Sequence, residues 1–261
     1  MTMDYLDIAI KAARRAGSIH KKYFQTGFKV KTKSSTFDLL TTADTEAEKA
    51  AVCLIKKYFP GHNFLAEEYS YTKTDSEYTW IIDPLDGTNN FACGLPIFCA
   101  SVALMRKNRV IAGAVYDVMR DELFYAEKDK GAFLNARPIR VNSVKSLKQS
   151  LLITGFYYSK GEEAFQTLEA IKRFFSEQIL GLRRLGAAAL DLCYVASGRA
   201  AGFWEFELSP WDFAAGKLIV EEAGGKVTGR HGERIPPAKK YFIVASNAQI
   251  HSRMLSIINE T

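Results

Sequence analysis

The spacing of apolar and polar positions divides the chain into stretches of clearly different period. From Tyr5 to Phe24, apolar and small residues recur at helical spacing (Leu6, Ala9, Ile10, Ala13, Gly17, Tyr23 and Phe24), which predicts an amphipathic helix. Phe28 to Lys33 reads as an edge strand, with Lys29, Lys31 and Lys33 alternating as on a solvated face. The stretch Phe37–Asp38–Leu39–Leu40–Thr41–Thr42–Ala43–Asp44 leads into a helix that runs to about Tyr58, where Pro60–Gly61 stops it. Thr41 and Asp44 have the spacing of a capping box, in which a hydroxyl and a carboxylate satisfy free amides of the first turn.

The period then drops to two. Asn63 to Ala66 is a short strand ending in Glu67–Glu68, and residues 79–82 form another ending in Asp83–Pro84–Leu85–Asp86–Gly87–Thr88. Phe98 to Met105, Val110 to Tyr116 and Glu122 to Ala126 follow, and Gly131 to Val141 continues the pattern with turn residues at Asn135–Ala136–Arg137. These predict a large, mainly antiparallel sheet. In the second half, strands and helices alternate. Ser150–Thr154 is a strand, Glu162–Phe175 an amphipathic helix, and Gly186–Ala187–Ala188–Ala189 opens a helix through Ala196. Ala200–Glu205 (strand), Pro210–Ala223 (helix), Lys226–Thr228 and Phe242–Ala245 (strands) and a last helix from Asn247 complete the chain. With no repeat, linker or low-complexity segment, the expectation is a single α/β (α+β) domain over residues 1–261, in halves of approximately 1–145 and 146–261.

Composition narrows the function more than the fold. An apolar fraction of 48% and a charged fraction of 25% are those of an ordinary globular protein. The longest apolar run, Phe91 to Met105, is broken by Gly94 and Pro96 and is too short to span a bilayer. The N-terminus lacks a basic segment leading into an apolar one, so no secretory signal is expected and the cytoplasm is the default location. The net charge of +6 admits nucleic acid as a partner, but Lys and Arg are spread along the chain, and a modest positive field also attracts phosphorylated metabolites. Cys53, Cys93, Cys99 and Cys193 show no C-x-x-C spacing and are expected to be buried, reduced thiols. The scattered His20, His62, His231 and His251 disfavour zinc chemistry and phosphoryl transfer through histidine. Carboxylates are the chemical inventory that is left.

Asp83 and Asp86 stand three apart on a turn stiffened by Pro84, at the end of a buried strand. Hard cations such as Mg²⁺ take oxygen ligands and keep several waters, so a few carboxylates suffice, with the Leu85 carbonyl placed to join them. The spacing does not fit an EF-hand. It is one residue too long for the D-x-D-G-T nucleophile motif of haloacid-dehalogenase-like phosphatases, a rival that would need a covalent aspartyl-phosphate. An Asp-rich turn with local hydrogen bonds would look the same. Ser209–Pro210–Trp211–Asp212 is a second capping box, with Pro at the first helical position. Gly87, Thr88 and Asn89 could open a helix whose amides face a phosphate.

Taken together, Glu67 at one strand end, D-P-L-D-G-T at the next and W-D opening a later helix closely resemble the inositol monophosphatase family of Mg²⁺-dependent, lithium-sensitive phosphatases. Thr41–Thr42–Ala43–Asp44, Ala66–Glu67–Glu68–Tyr69–Ser70, Gly131–Ala132–Phe133–Leu134–Asn135 and Gly186–Ala187–Ala188–Ala189–Leu190 extend the resemblance. So do Trp211–Asp212–Phe213–Ala214–Ala215–Gly216 and Glu222–Ala223–Gly224–Gly225, so that it covers about residues 5–255.

The resemblance implies a layered αβαβα sandwich of the sugar-phosphatase type, two to three Mg²⁺ ions, a small phosphorylated metabolite as substrate and a homodimer. Asp83 would bridge two metals, with Glu67 and the Leu85 carbonyl completing the first site, and Asp86 and Asp212 the second. A third, weaker metal would sit near Glu67. Asp44 and Thr88 would polarise the attacking water, and the Gly87 and Thr88 amides would hold phosphate. Ala188, Glu205, Asp86 and Asp212 would line the place of the substrate hydroxyls, and Lys33 would lie near the active-site loop. On this reading Glu67, Asp83, Asp44 and Thr88 carry catalysis.

Three departures from the family pattern leave every implied metal ligand in place. Ala66 replaces a Gly, Ala136 replaces the Gly of an Asn-Gly hairpin, and Ala187 stands where some members have Thr. Relatives acting on fructose 1,6-bisphosphate, histidinol phosphate or 3′-phosphoadenosine 5′-phosphate share the metal motif. Glu205 favours inositol-like substrates, because an acid there can accept hydrogen bonds from ring hydroxyls. A regulatory, nucleic-acid-associated protein is the reading from another class.

Overall fold

The computed structural model describes residues 4–32, 39–156 and 161–260; Lys33 falls outside them. Helix α1 (Tyr5–Thr26) buries Ile8, Ala9, Ala12, Ala13, Ala16, Gly17 and His20 along one face, the stripe its apolar spacing predicts. A two-stranded ribbon, β1 (Val30–Thr32) with β2 (Leu39–Thr41), leads to α2 (Thr42–Tyr58), which starts with the expected capping box of Thr41 and Asp44.

The large sheet follows the order β3 (Asn63–Ala66), β4 (Tyr78–Asp86), β5 (Cys99–Arg106), β6 (Arg109–Asp117), β7 (Glu122–Glu127), β8 (Ala132–Leu134) and β9 (Arg137–Ile139). Only the β3–β4 pair is parallel, so the sheet is mainly antiparallel as expected. A short helix, α3 (Thr88–Ala92), interrupts the chain between β4 and β5.

The second sheet has the order β11 (Gly181–Arg183), β10 (Leu151–Thr154), β12 (Gly202–Leu208), β14 (Tyr241–Ser246) and β13 (Lys226–Thr228). The pairs around β10 are parallel and those around β14 antiparallel. Helices α4 (Glu162–Ser176), α5 (Ala188–Ala196), α6 (Pro210–Glu222) and α7 (His251–Asn259) complete the fold.

Five layers result. Helices α1 and α2 cover the outer face of the large sheet, α5 and α6 fill the space between the sheets, and α4 and α7 cover the outer face of the second sheet. Three buried apolar clusters occupy the interfaces between these layers. This is the αβαβα sandwich the resemblance implies.

The differences from expectation are local. The edge strand β11 is too short to announce itself in a pattern of period two. The last helix begins at His251 rather than at Asn247, because the Asn247 side chain accepts the Ile250 amide at 3.2 Å and ties the preceding residues into a turn. Strand β12 runs past Glu205 to Leu208 through a register shift, with Glu207 at φ 50°. The cysteine expectation is corrected in half: Cys99 and Cys193 are buried, but Cys53, on the outer face of α2, and Cys93, just after α3, are exposed. In the β8–β9 hairpin, Asn135 (φ 47°) and Ala136 (φ 65°) are both left-handed, so the turn keeps the Asn-Gly geometry although its second residue carries a Cβ. Ala66 does not share that conformation, in keeping with the cost of a Cβ there. Among the described residues no helix is long and apolar enough to cross a membrane.

Candidate active site

The acids meet because of strand register. In the parallel β3–β4 pair, Ala66 faces Ile82, so the next residue on each strand, Glu67 and Asp83, emerges at the same end. On the other side of β4, Asp83 pairs with Ser101 and Asp86 with Cys99, with a bulge between. Three residues on β4 thus match two on β5. In an unbroken strand, residues three apart point to opposite faces; the bulge returns Asp83 and Asp86 to one face. Ser101 also donates its hydroxyl to the Trp211 carbonyl at 3.2 Å, pinning the first turn of α6, and with it Asp212, beside Asp83.

Asp83, Asp86, Asp212 and Asp44 are each oriented by backbone donors. Asp83 Oδ1 accepts the Leu85 amide at 3.0 Å. Asp86 accepts from Ala188 N at 3.2 Å and Ala189 N at 2.7 Å, the free amides that open α5, so an acid from β4 caps a helix of the other half. Asp212 Oδ2 accepts the Ser209 amide at 2.7 Å. Asp44 Oδ2 accepts the Thr41 amide at 2.8 Å, while its Oδ1 lies 2.9 Å from Thr88 Oγ1. Thr88 Oγ1 also stands 2.9 Å from the Leu85 carbonyl; with one hydroxyl proton it donates to one of the two at a time.

Gly87 makes the sharp reversal at the end of β4 possible. Its φ is 95°, and a Cβ there would lie 2.8 Å from the Ile97 carbonyl oxygen. Asn90 then donates to Ile97 O at 2.8 Å and Leu185 O at 2.7 Å, fastening the loop to the chain ahead of α5.

The electrostatics follow from crowding. Burial raises Asp83 well above the usual carboxylate range, and the charges of Glu67, Asp86 and Asp212 add to it, with Glu67 also within hydrogen-bonding reach. Burial raises Asp212 likewise, with Asp86 and Glu67 adding to it. Burial pushes Asp86 up to about 6 against the opposing pull of the Ala189 and Ala188 amides. Burial also takes Asp44 up to about 6, opposed chiefly by its hydrogen bonds to Thr41. The charges of Glu67, Asp86 and Asp212 all bear on Asp83, so these acids form a donor set short of positive charge.

A model of one protein family, described as the inositol monophosphatase family, matches residues 2–261. The chain belongs to the inositol monophosphatase family. The Nus factor SuhB of Escherichia coli (strain K12) is 40% identical over 256 residues, spanning 96% of this chain and 94% of that protein. The solved inositol monophosphatase (IMPase) of Thermotoga maritima is 38% identical with a TM-score of 0.89, covering 98% of this chain and 97% of that one. An IMPase/NADP phosphatase solved with Mg²⁺ and phosphate is 27% identical with a TM-score of 0.83, covering 95% of this chain and 92% of that one.

In this member of the inositol monophosphatase family the donor set suits a hard divalent cation. Among the described residues, no three His, Cys, Asp or Glu side chains already form a group able to hold a metal ion. Mg²⁺ does not need such a cage, since it is commonly bound through one or two carboxylates and keeps its remaining waters.

Glu205 stands apart from the acids of β4. It lies on β12 beside its bulge, with its carboxylate against Gly155, where any Cβ would collide with it. Burial raises it to about 8, with Arg184 opposing and Asp86 adding. Ala188 is buried, with its amide committed to Asp86.

Sequence reasoning missed Glu48. One helical turn after Asp44 on α2 and fully buried, it accepts the Glu68 amide at 2.8 Å, the Tyr69 amide at 3.0 Å and the Tyr71 hydroxyl at 2.9 Å. It thereby fixes the segment that follows Glu67. An acid four residues from Asp44 on the buried stripe of a helix was the available signal.

Proposed function

We propose that the chain is a Mg²⁺-dependent phosphatase that hydrolyses a small phosphate monoester, with inositol monophosphate or a similar polyol phosphate as substrate, by attack of water. The observation that carries this reading is the mutual approach of Glu67, Asp83, Asp86 and Asp212, beside a bonded Asp44–Thr88 pair.

Glu67, Asp83 and the Leu85 carbonyl would hold one Mg²⁺, Asp83, Asp86 and Asp212 a second, and the surroundings of Glu67 a weaker third. When bound, such ions activate water and neutralise charge on the transferring phosphoryl group and the leaving oxygen. The residues of the chain supply the rest. The Gly87 and Thr88 amides, at the start of α3, would face the phosphate. When the Thr88 hydroxyl donates to Asp44 rather than to the Leu85 carbonyl, its oxygen can accept from the incoming water, so a proton lost by that water passes toward a carboxylate that burial has made more basic. Glu205, together with Ala188, Asp86 and Asp212, receives the hydroxyls of the leaving alcohol. Because the nucleophile is water, no Cys, His or Ser nucleophile is required.

Purified protein assayed against a panel of phosphate monoesters with Mg²⁺, with and without lithium, tests the reading. Turnover of a polyol phosphate that lithium suppresses is expected; absence of turnover on every monoester overturns it. Hydrolysis of fructose 1,6-bisphosphate, histidinol phosphate or 3′-phosphoadenosine 5′-phosphate in preference would keep the chemistry and move the substrate. A cytoplasmic homodimer is the accompanying expectation.

A second reading rests on relatives named Nus factor, such as the 40%-identical Escherichia coli protein, and on the net charge of +6. Under it the chain has a regulatory, nucleic-acid-associated role. Nucleic acid binding that weakens steeply with salt and survives Asp83→Asn would support that role.

A further inference from the structure

His20 is distant in sequence from the acids of β4, yet it touches the acid-bearing loop. It lies on the buried stripe of α1 with no solvent exposure, and its Nε2 is 2.6 Å from the carbonyl oxygen of Pro84. A carbonyl only accepts, so Nε2 carries the proton and donates. The edges of Phe91 and Phe98 flank the ring at centroid distances of 6.3 and 6.0 Å, and Nδ1 has no partner in this apolar surround. Burial lowers the pKa of the ring to about 4, so one neutral tautomer serves throughout the working pH range.

The carbonyl of Pro84 and the amide of Leu85 belong to one planar peptide unit, whose C=O and N–H point in opposite directions. His20 holds the carbonyl end of that plane. Asp83 Oδ1 accepts from the amide end at 3.0 Å. Pulling on the carbonyl polarises the peptide and strengthens its N–H as a donor, so the two hydrogen bonds reinforce one another. The same plane fixes where the chain enters Leu85, whose own carbonyl sits beside Thr88. An apolar residue in place of His20 would remove the donor from the carbonyl end of the plane and leave a buried Pro84 carbonyl without it.

We propose that His20 is a positioning residue for the acid loop: by clamping the Pro84–Leu85 peptide from behind, it aims the Asp83 carboxylate at the divalent cation. The inference rests on the reading of Asp83 as a metal ligand. Hydrogen bonds made directly to a metal ligand typically change metal affinity ten- to a hundredfold when removed, and because His20 acts one bond further out, through the Leu85 amide, the lower end of that range is expected.

The test is calorimetric titration of Mg²⁺ into substrate-free protein, comparing wild type, Asp83→Asn, His20→Leu, His20→Met and His20→Gln, each first checked for a cooperative thermal transition. Leu and Met fill the space without a donor, and either serves if the other does not fold; Gln offers an N–H to the same carbonyl. Mg²⁺ binding weakened about tenfold in the donor-free variants and largely restored in His20→Gln is the expected result. Wild-type affinity in a folded donor-free variant, or His20→Gln no better than His20→Leu, overturns the role of His20 while leaving the site intact. A wild-type protein that takes up no Mg²⁺ overturns the metal site itself, and with it the inference.

Discussion

Helices α2 and α6 begin alike and end up doing different things. Each opens with a hydroxyl residue followed three positions later by an aspartate, and each aspartate gives Oδ2 to the amide of its cap residue, at 2.8 Å for Asp44 and 2.7 Å for Asp212. Beyond that bond the surroundings diverge. Burial takes Asp44 up to about 6 with the Glu67 charge adding, but the hydroxyls of Thr41 and Thr88 favour its charged form and oppose the rise. Asp212 meets Asp86 and Glu67, whose charges add to the effect of burial and carry it well above the usual range. The same local motif thus yields a carboxylate suited to taking a proton and another that calls for a cation. Capping and chemistry are not competing explanations of such an aspartate, because one oxygen serves each.

The largest expected effect separates the two directly. Asp212→Asn should lower turnover by about a thousandfold and Asp44→Asn by about a hundredfold, the second being the usual loss on removing a general base. In chelator-treated protein the order changes sign: Asp212→Asn should raise the melting temperature by relieving repulsion, and Asp44→Asn should not. An Asp212→Asn protein that loses stability yet keeps its activity per folded molecule would reduce Asp212 to a cap.

A smaller effect concerns pH. Asp44 and Asp86 are both raised to about 6, above an unfolded value near 4, so the folded chain holds protons over that window that the unfolded chain has released. Their contribution to stability is therefore present below about pH 4 and is lost as pH rises through about 6. Metal-free protein should consequently melt lower at pH 8 than at pH 5, by about 5 °C, and saturating Mg²⁺ at pH 8 should remove the difference. Melting that is independent of both pH and Mg²⁺ would break the comparison.

The smallest effect serves as a control. Ala136→Gly relieves a left-handed Cβ in the β8–β9 hairpin and should stabilise by about 1 kcal/mol, read as a higher melting temperature, with turnover unchanged.

Local sequence made a good part of this legible. The capping boxes and the strand-end acids are written in spacings of three residues or fewer, and the order of strands and helices follows from where the period changes, while the five layers came from the family resemblance. What was hidden depends on contacts between distant segments. The bulge that turns Asp83 and Asp86 to one face exists only in the pairing with β5. Asp86 as a cap for α5 spans more than a hundred residues, and Glu48 and His20 read as ordinary members of helical stripes. The exposure of Cys53 and Cys93 was misjudged for a related reason: residue type states a preference, while the face of the helix or the end of a turn decides.

The central claim is that the acids at the end of β4, with Glu67 and Asp212, bind divalent metal. Crystals grown with Mn²⁺ in place of Mg²⁺, measured for anomalous scattering, address it most directly. At least two peaks are expected, one ligated by Glu67, Asp83 and the Leu85 carbonyl, and one by Asp83, Asp86 and Asp212. Crystals saturated with Mn²⁺ that show no peak among these residues, or only peaks elsewhere on the surface, would contradict it.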